Sequence, residues 1–425
     1  MSNEHQHIPA GYKPSPLGII PEDWEVKRLG KIANRIGDGI HGTPKYTDKS
    51  EYYFINGNNL NNGKIVINDS TKCVPYSEYI KYKKNIPQHT ILLSINGTIG
   101  NIALYNDEKV MLGKSAAYIT IPNYKFFYHL LQSNRVLTAF EKELTGTTIR
   151  NLSLDSIRNL TIALPSQKEI ESISTLLDLW DTAIEKQTQL VEKLTLRKRG
   201  LMQQLLTGKK RLKGFSGEWK EVRLGDVCSF LSNNTLSRGQ LNNENGEIQN
   251  IHYGDVLIKY PSVLDCNKII LPFVNADAYK ESMNDYVKNG DIIISDTAED
   301  ETVGKACEVQ NVRNRKILAG LHTMLLRPNK GIFAPYFLGY YINSETYHSN
   351  LLPLIQGIKV CSIGKQTVQN TTLNMPPIEE QTAIASVLVN ADKELELANK
   401  KLARLQEEKK GLMQVLLTGK KRIEI

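Results

Sequence analysis

The chain has 425 residues, 40% of them hydrophobic and 23% charged, with a formal net charge of +8. That is too long for one ordinary domain, so two or three are expected, and the composition is that of a globular protein. No apolar run approaches the length of a membrane span. The N-terminus lacks the basic-then-apolar pattern of a secretory leader. Cys73, Cys228, Cys266, Cys307 and Cys361 show no CxxC spacing, which points to reduced thiols in a cytoplasm and gives no zinc site. The basic balance is compatible with an anionic partner such as DNA, although charge alone is weak evidence.

Residues 1–23 read as an irregular lead-in, because Pro9, Pro14, Pro16 and Pro21 break any helix. From 24 to 164 the chain is strand-like: FINGNNL, KIVIND, TILLSINGTIG, AAYITIP and NLTIALP are short apolar runs separated by Asn and Gly turn signals. One helix is predicted at 126–144. Residues 165–213 carry apolar positions in alternating steps of three and four, including Leu177, Trp180, Ile184, Val191, Leu194, Leu201 and Leu205. That spacing, sustained over about five heptads, is the signature of a coiled coil. Residues 214–375 repeat the mixed pattern, with NIHYGDVLI, DYVKNGDIIISD, CEVQNV and HTMLLRP as strands and PYFLGYYINSETYHSNLLPL as a helix. Residues 376–425 repeat the heptads, at Leu388, Leu395, Leu402, Leu405, Leu412 and Leu416. Gly208 and Gly419 supply the helix stops, each followed by basic residues. The fold class is therefore α+β: two mixed domains, each followed by a long coiled-coil helix.

The two halves are copies. GLMQQLLTGKKR at 200–211 and GLMQVLLTGKKR at 411–422 agree at eleven of twelve positions, an offset of 211. That offset holds through Pro165/Pro376, Glu169/Glu380, Asp181/Asp392 and Leu194/Leu405. Trp24 with Arg28-Leu29-Gly30 answers Trp219 with Arg223-Leu224-Gly225 at an offset of 195, so the second copy is 16 residues longer between these anchors. Helices of about 40 residues span roughly 60 Å. If they pair within the chain they must run antiparallel, with the mixed domains at opposite ends of a spacer and a pseudo-two-fold axis between them. Such symmetry suits a target that also has two halves.

The opening SPLGIIPEDWEVKRLGKIA, the segment LPSQKEIESISTLLDLWDTAIEKQTQLVEKL with RKRGLMQQLLTGKKRL, and its second copy MPPIEEQTAIASVLVNADKELELANKKLARLQEEKKGLMQVLLTGKKRI resemble the specificity subunit of a type I restriction–modification system. The resemblance covers essentially the whole chain and is closer in the helical repeats than in the mixed domains. It implies a non-catalytic protein without a cofactor, whose two target-recognition domains each read one half of an asymmetric bipartite site in double-stranded DNA. It implies two adenine-modification subunits as partners, restriction subunits held through them, and spacer helices that set the gap. Trp180 departs from the internal symmetry, because its counterpart on the seam is Ala391. The alternative is a coiled-coil scaffold that assembles partners without reading DNA. It does not explain two divergent domains rich in polar loops.

Catalytic motifs are missing. Gly37-Asp38-Gly39-Ile40-His41-Gly42 matches a dinucleotide fingerprint, but Thr43-Pro44 follows where a helix should open. Gly113-Lys114-Ser115 has the tail of a phosphate loop, but Glu108 stands where its first glycine belongs. The histidines do not cluster at ligand spacing apart from His5 and His7 in the lead-in, so no metal site is expected. DNA readout needs donors and acceptors on loops that enter a groove. In the first copy these are Gly39, His41, Gly42, Thr43, Lys45 and Tyr46, then Asn96, Thr98, Lys114, Ser115, Thr148 and Arg150. In the second copy they are Asn234, Arg238, Tyr253, Thr297, Lys305, His322 and Lys359, with His252 and Asp296 beside them. Arg197-Lys198-Arg199 and Lys209-Lys210-Arg211-Lys213, echoed by Lys409-Lys410 and Lys420-Lys421-Arg422, form a basic set suited either to phosphates and acidic partner faces or to solvated helix ends.

Overall fold

A computed structural model describes residues 8–144, 150–278, 285–357 and 359–423. The chain forms two compact units, residues 1–188 with 400–425 and residues 189–399. The boundaries fall inside the two long helices, Gln167–Leu205 and Ile378–Leu416, each of 39 residues. Each unit therefore contains one mixed domain and part of both helices.

In the first unit an antiparallel sheet runs in the order Arg35–Asp38, Ala116–Thr120, Ile91–Ser94, Ile102–Leu104. Beside it Tyr53–Ile55 pairs in parallel with Val110–Leu112. Glu25–Arg28 pairs with Thr161–Leu164, which closes the domain's start onto its end. The second unit repeats this scheme with additions. Its main sheet has five strands, Cys228–Leu231, Thr323–Pro328, Ile292–Ser295, Ala306–Gln310 and Val263–Asp265. Ile248–Ile251 pairs in parallel with Lys316–Ala319, and Lys220–Arg223 pairs with Thr372–Met375. Matching registers show where the extra residues went. Gly37 corresponds to Leu231, Ile55 to Ile251 and Leu112 to Ala319, offsets of 194, 196 and 207 that grow toward 211. The insertion is spread over several loops.

The heptad seams are used as expected. No seam residue from Ile170 to Leu205 or from Ile384 to Leu416 is exposed, whereas Leu179, Leu190, Leu196 and Leu397, which lie off the seam, are. Within the first unit Asp181 meets Lys409 and Glu169 meets Arg422; within the second, Lys198 meets Asp392 and Arg211 meets Glu380. In each case a later residue on one segment meets an earlier one on the other, so the pairing is antiparallel in both units. Trp180 is half-buried and its counterpart Ala391 is buried.

Four local expectations need correction. The described part of the lead-in is not irregular: Tyr12–Ser15 and Gly18–Pro21 form a hairpin, with Gly18 at φ +89°, and Ile20 is fully buried, while residues 1–7 lie outside the described residues. The helix predicted at 126–144 is two helices, Tyr124–Leu131 and Asn134–Lys142, because Ser133 caps the second through its side chain. Its counterpart breaks at Ser344 into Phe337–Ile342 and Glu345–Leu351 for the same reason. NIHYGDVLI is not one strand. After Ile251 the His252 ring accepts from Gly254 N–H and starts a helix over Tyr253–Ile258.

Each unit is locked by the same buried clasp. Glu169, with no exposed surface, accepts from Trp24 Nε1 at 2.9 Å and from Arg422 Nε and Nη2 at 2.8 Å each. Glu380, likewise unexposed, accepts from Trp219 Nε1 at 3.2 Å and from Arg211 Nε and Nη2 at 2.5 Å each. Gly208 and Gly419, at φ +69° and +71°, place the arginines by turning the chain back after each helix. A Cβ on Gly419 would overlap Pro21 Cδ at 2.3 Å, whereas one on Gly208 would meet Trp219 only in ordinary contact at 3.5 Å. Arg422 also grips Asp23 with two bonds of 2.8 Å, and this holds the Asp23 carboxyl below its ordinary range. Removing one member of a buried pair leaves the other charge uncompensated. Arg422→Ala and Arg211→Ala should therefore each lower the denaturation midpoint by leaving a buried carboxylate without its cation, with a smaller loss for Trp24→Phe, which removes one neutral donor. Chemical denaturation of the purified chain checks this; equal, near-zero losses would remove the clasp from the account.

Candidate DNA interface

The polar loops chosen from sequence converge on one edge of the sheet in each unit. In the first, Ile40 N–H donates to Leu112 O at 2.9 Å, which sets the Gly39–Tyr46 loop beside Gly113–Ser115. Ser115 Oγ donates to Asn56 Oδ1 at 2.8 Å and accepts from Gly57 N–H at 2.9 Å. Asn96 forms an isolated bridge with Asn151, bringing the 95–98 turn and the residues around Arg150 to the same place. His41, Gly42, Thr43, Lys45, Tyr46, Thr98, Lys114 and Arg150 are exposed there. Gly39 is buried, and a Cβ on it would overlap Leu112 O at 2.0 Å, so its missing side chain serves packing. Thr148 lies outside the described residues.

In the second unit Asn234 N–H donates to Ala319 O at 2.9 Å, in the place of Ile40. The Asn234 side chain is spent inside the fold, donating to Ala319 O and accepting from Leu236 N–H. Tyr253 packs edge-on against His322 with centroids 5.3 Å apart and is flanked by His252 at 4.6 Å. His322 Nδ1 lies 3.3 Å from Thr297 Oγ1 and 3.4 Å from Asp296 Oδ1. Arg238 pairs with buried Asp255 at 2.7 Å. Burial would raise the Asp255 carboxyl, but Arg238 and Lys259 outweigh it and hold it below its ordinary range. Burial and the Arg238 charge keep the His252 imidazole below its usual value, so it stays neutral as a cap. Lys305 turns inward to Leu257 O, and burial lowers its ammonium. Lys359 is exposed on the loop closed by the Gln356–Ser362 bridge.

Sequence reasoning passed over Asn56 and Ser362, which sit in the middle of these edges. Asn56 lay inside what read as a strand, FINGNNL, and Ser362 carries no motif signal. The basic set at the helix ends is also revised. Arg197 pairs with Glu394, Arg199 with Glu345, Lys198 with Asp392, Lys409 with Asp181, and Arg211 and Arg422 are clasp arms. These cations are held by carboxylates of the chain itself. Exposed Lys209, Lys210, Lys213, Lys410, Lys420 and Lys421 remain for other contacts.

Nothing at either edge resembles a catalytic assembly. Among the described residues no group of three or more His, Cys, Asp or Glu could hold a metal, and no helix is long and apolar enough to cross a membrane. All five cysteines are unpaired, and burial pushes the Cys228 and Cys266 thiols up to about 12 and about 11.

Comparison with known proteins agrees in both halves. Residues 21–195 and 216–407 each match the type I restriction modification DNA specificity domain. The chain is 26% identical to a putative type I restriction enzyme MjaX specificity subunit of Methanocaldococcus jannaschii, with 97% of each covered. It is 28% identical to the EcoBI specificity subunit of Escherichia coli, over 47% of this chain and 43% of that one. Among solved structures, the S subunit of a type I restriction–modification system from M. genitalium aligns with a TM-score of 0.53 at 17% identity, covering 93% of this chain and 96% of that one. A chain from a structure concerned with complex assembly and conformational transition of the type I R-M system aligns with a TM-score of 0.55 at 17% identity, covering 94% and 99%. Two matched domains in tandem, over most of the sequence, place this chain in the type I restriction–modification DNA specificity family.

Proposed function

We infer that the chain is the DNA sequence-specificity subunit of a type I restriction–modification complex, and that it recognises sequence rather than performing chemistry. The observation that carries this is the pair of polar edges. The same fold position occurs twice in one chain, with different side chains each time, on frames that are nearly the same. A protein that reads two different half-sites needs that combination. A coiled-coil scaffold does not, and nothing in the structure favours it.

Each recognition unit would engage one half of an asymmetric bipartite site in double-stranded DNA. Exposed lysines and arginines would hold phosphates, and the central polar groups would face base edges. The long helices would set the gap between half-sites and dock two adenine-modification subunits, through which restriction subunits join. The seam supports this role, since it is continuous along both helices while Leu179, Leu190, Leu196 and Leu397 stay exposed beside it.

The first test is genome-wide mapping of N6-methyladenine with and without this gene, in cells supplying the modification partner. A bipartite asymmetric motif should vanish on deletion; an unchanged methylation pattern with an active partner would sink the reading. Replacing residues 216–372 by another recognition domain should change one half of the motif and spare the other. Change in both halves would show that the units do not read independently. Lengthening both helices by equal whole turns should widen the gap, and an unaltered gap would remove their spacer role.

A further inference from the structure

The polar edges of the two units match bond for bond. Gly113 N–H donates to Ile55 O at 2.8 Å, and Gly320 N–H to Ile251 O at 2.9 Å. Ile95 N–H donates to Ser115 O at 3.0 Å, and Asp296 N–H to His322 O at 3.1 Å. Leu152 N–H donates to Ile95 O, and Ile363 N–H to Asp296 O, both at 2.9 Å. The Asn96–Asn151 bridge is matched by the pairing of Thr297 with Ser362. Asn56 thus corresponds to His252, Gly57 to Tyr253, Ser115 to His322 and Asn96 to Thr297. At one place on one backbone frame, the first unit carries an amide and a hydroxyl and the second carries two aromatic rings.

Hydrogen-bond bookkeeping fixes what each place offers to a ligand. In the first unit Ser115 Oγ accepts from Gly57 N–H, so its own proton goes to Asn56 Oδ1. The same side chain accepts from Asn59 N–H. Two donors on Oδ1 fix the orientation of the amide and leave Nδ2–H as the outward group, a donor. In the second unit Thr297 Oγ1 donates to Asp296 Oδ1 at 2.8 Å, so its lone pair is what His322 meets. His322 Nδ1 therefore carries a proton toward Thr297 and Asp296, and Nε2, the nitrogen left for a ligand, is an acceptor where it bears no proton. His322 sits at φ +54°, in the left-handed region, with Tyr253 against its edge. Its side chain is nevertheless 46% exposed.

Resting on the DNA-reading function above, we propose that this shared position is the specificity-determining centre of both units, with opposite hydrogen-bond polarity. Asn56 Nδ2 donates to a base acceptor such as a purine N7 or O6. His322 Nε2 accepts from the exocyclic amine of adenine or cytosine, and Tyr253 fixes the ring.

The test uses the chain assembled with its modification subunits, and duplexes carrying the motif found by methylation mapping. Single base pairs of the half-site assigned to the second unit are replaced by analogues that lack the exocyclic amine. One such replacement should weaken binding of the wild-type complex about tenfold. It should have no further effect on His322→Ala, whose discrimination at that pair is already lost. His322→Gln, which keeps an acceptor, should retain part of the discrimination. In the other half-site, a 7-deazapurine should do to the wild type what Asn56→Ala does without it. If no analogue reproduces His322→Ala, or if the variant weakens all duplexes equally, the assignment is overturned. Loss of folding in both His322 variants would overturn it too, by making an exposed ring a structural one. A wild-type complex without any bipartite motif would instead strike the specificity reading itself.

Discussion

A carboxylate without exposed surface cannot stand alone in a protein interior, and this constraint organises each half of the molecule. Glu169 and Glu380 lie in the first turns of the long helices, where the helix N-terminus already favours a negative charge. Their remaining needs are met by an indole from the start of the same repeat and a guanidinium from the tail of the other repeat. The tryptophan ties the recognition domain to the helix it feeds. The arginine ties in the helix that returns. One buried group thus joins three parts of the chain that sequence separates widely. Breaking the pair would leave a buried charge, so the junction is all-or-none in a way that apolar contact is not.

The clasp also accounts for much of the near-identical block at 200–211 and 411–422. Gly208 and Gly419 are needed for the left-handed turn, and Gly419 also for the close approach to Pro21. Arg211 and Arg422 are needed for the fork that matches a carboxylate. Leu205 and Leu416 close the seams. The block would stay alike under these demands even without an identical external partner on each copy. The exposed lysines between glycine and arginine are the part that the clasp leaves unexplained.

The larger organisation was legible because its signals are periodic or repeated. The heptads gave the helices, the offset of 211 gave the duplication, and antiparallel pairing followed from chain order. Shorter elements were legible where apolar alternation dominated, as at Ile91–Ser94 and Ala116–Thr120. They failed where a single polar side chain overrode the pattern. Ser133, Ser344 and His252 each cap a helix by accepting one backbone proton, and each was hidden in a run that looked continuous. The same limit applies to the polar edge. Glycine-rich and polar loops marked regions that the fold brings together, but which side chain faces outward depends on bonds across strands. Asn234 and Lys305 looked like surface groups and turn inward, whereas Asn56 looked like strand and sits at the centre.

These two kinds of position explain how one chain can combine a fixed frame with changeable recognition. Frame residues such as Trp24, Glu169 and Arg422 are buried, charged or bulky, and mutually dependent, so a substitution at one is costly unless others change with it. Residues at the polar edge are tied to the sheet by backbone bonds. Ile95 N–H reaches Ser115 O as Asp296 N–H reaches His322 O, and the bond does not depend on which side chain is present. Serine can therefore become histidine, or asparagine become threonine, with little effect on the sheet beneath. Stability resides in the helices and the clasp, which frees the polar edge to differ between the two halves of one molecule.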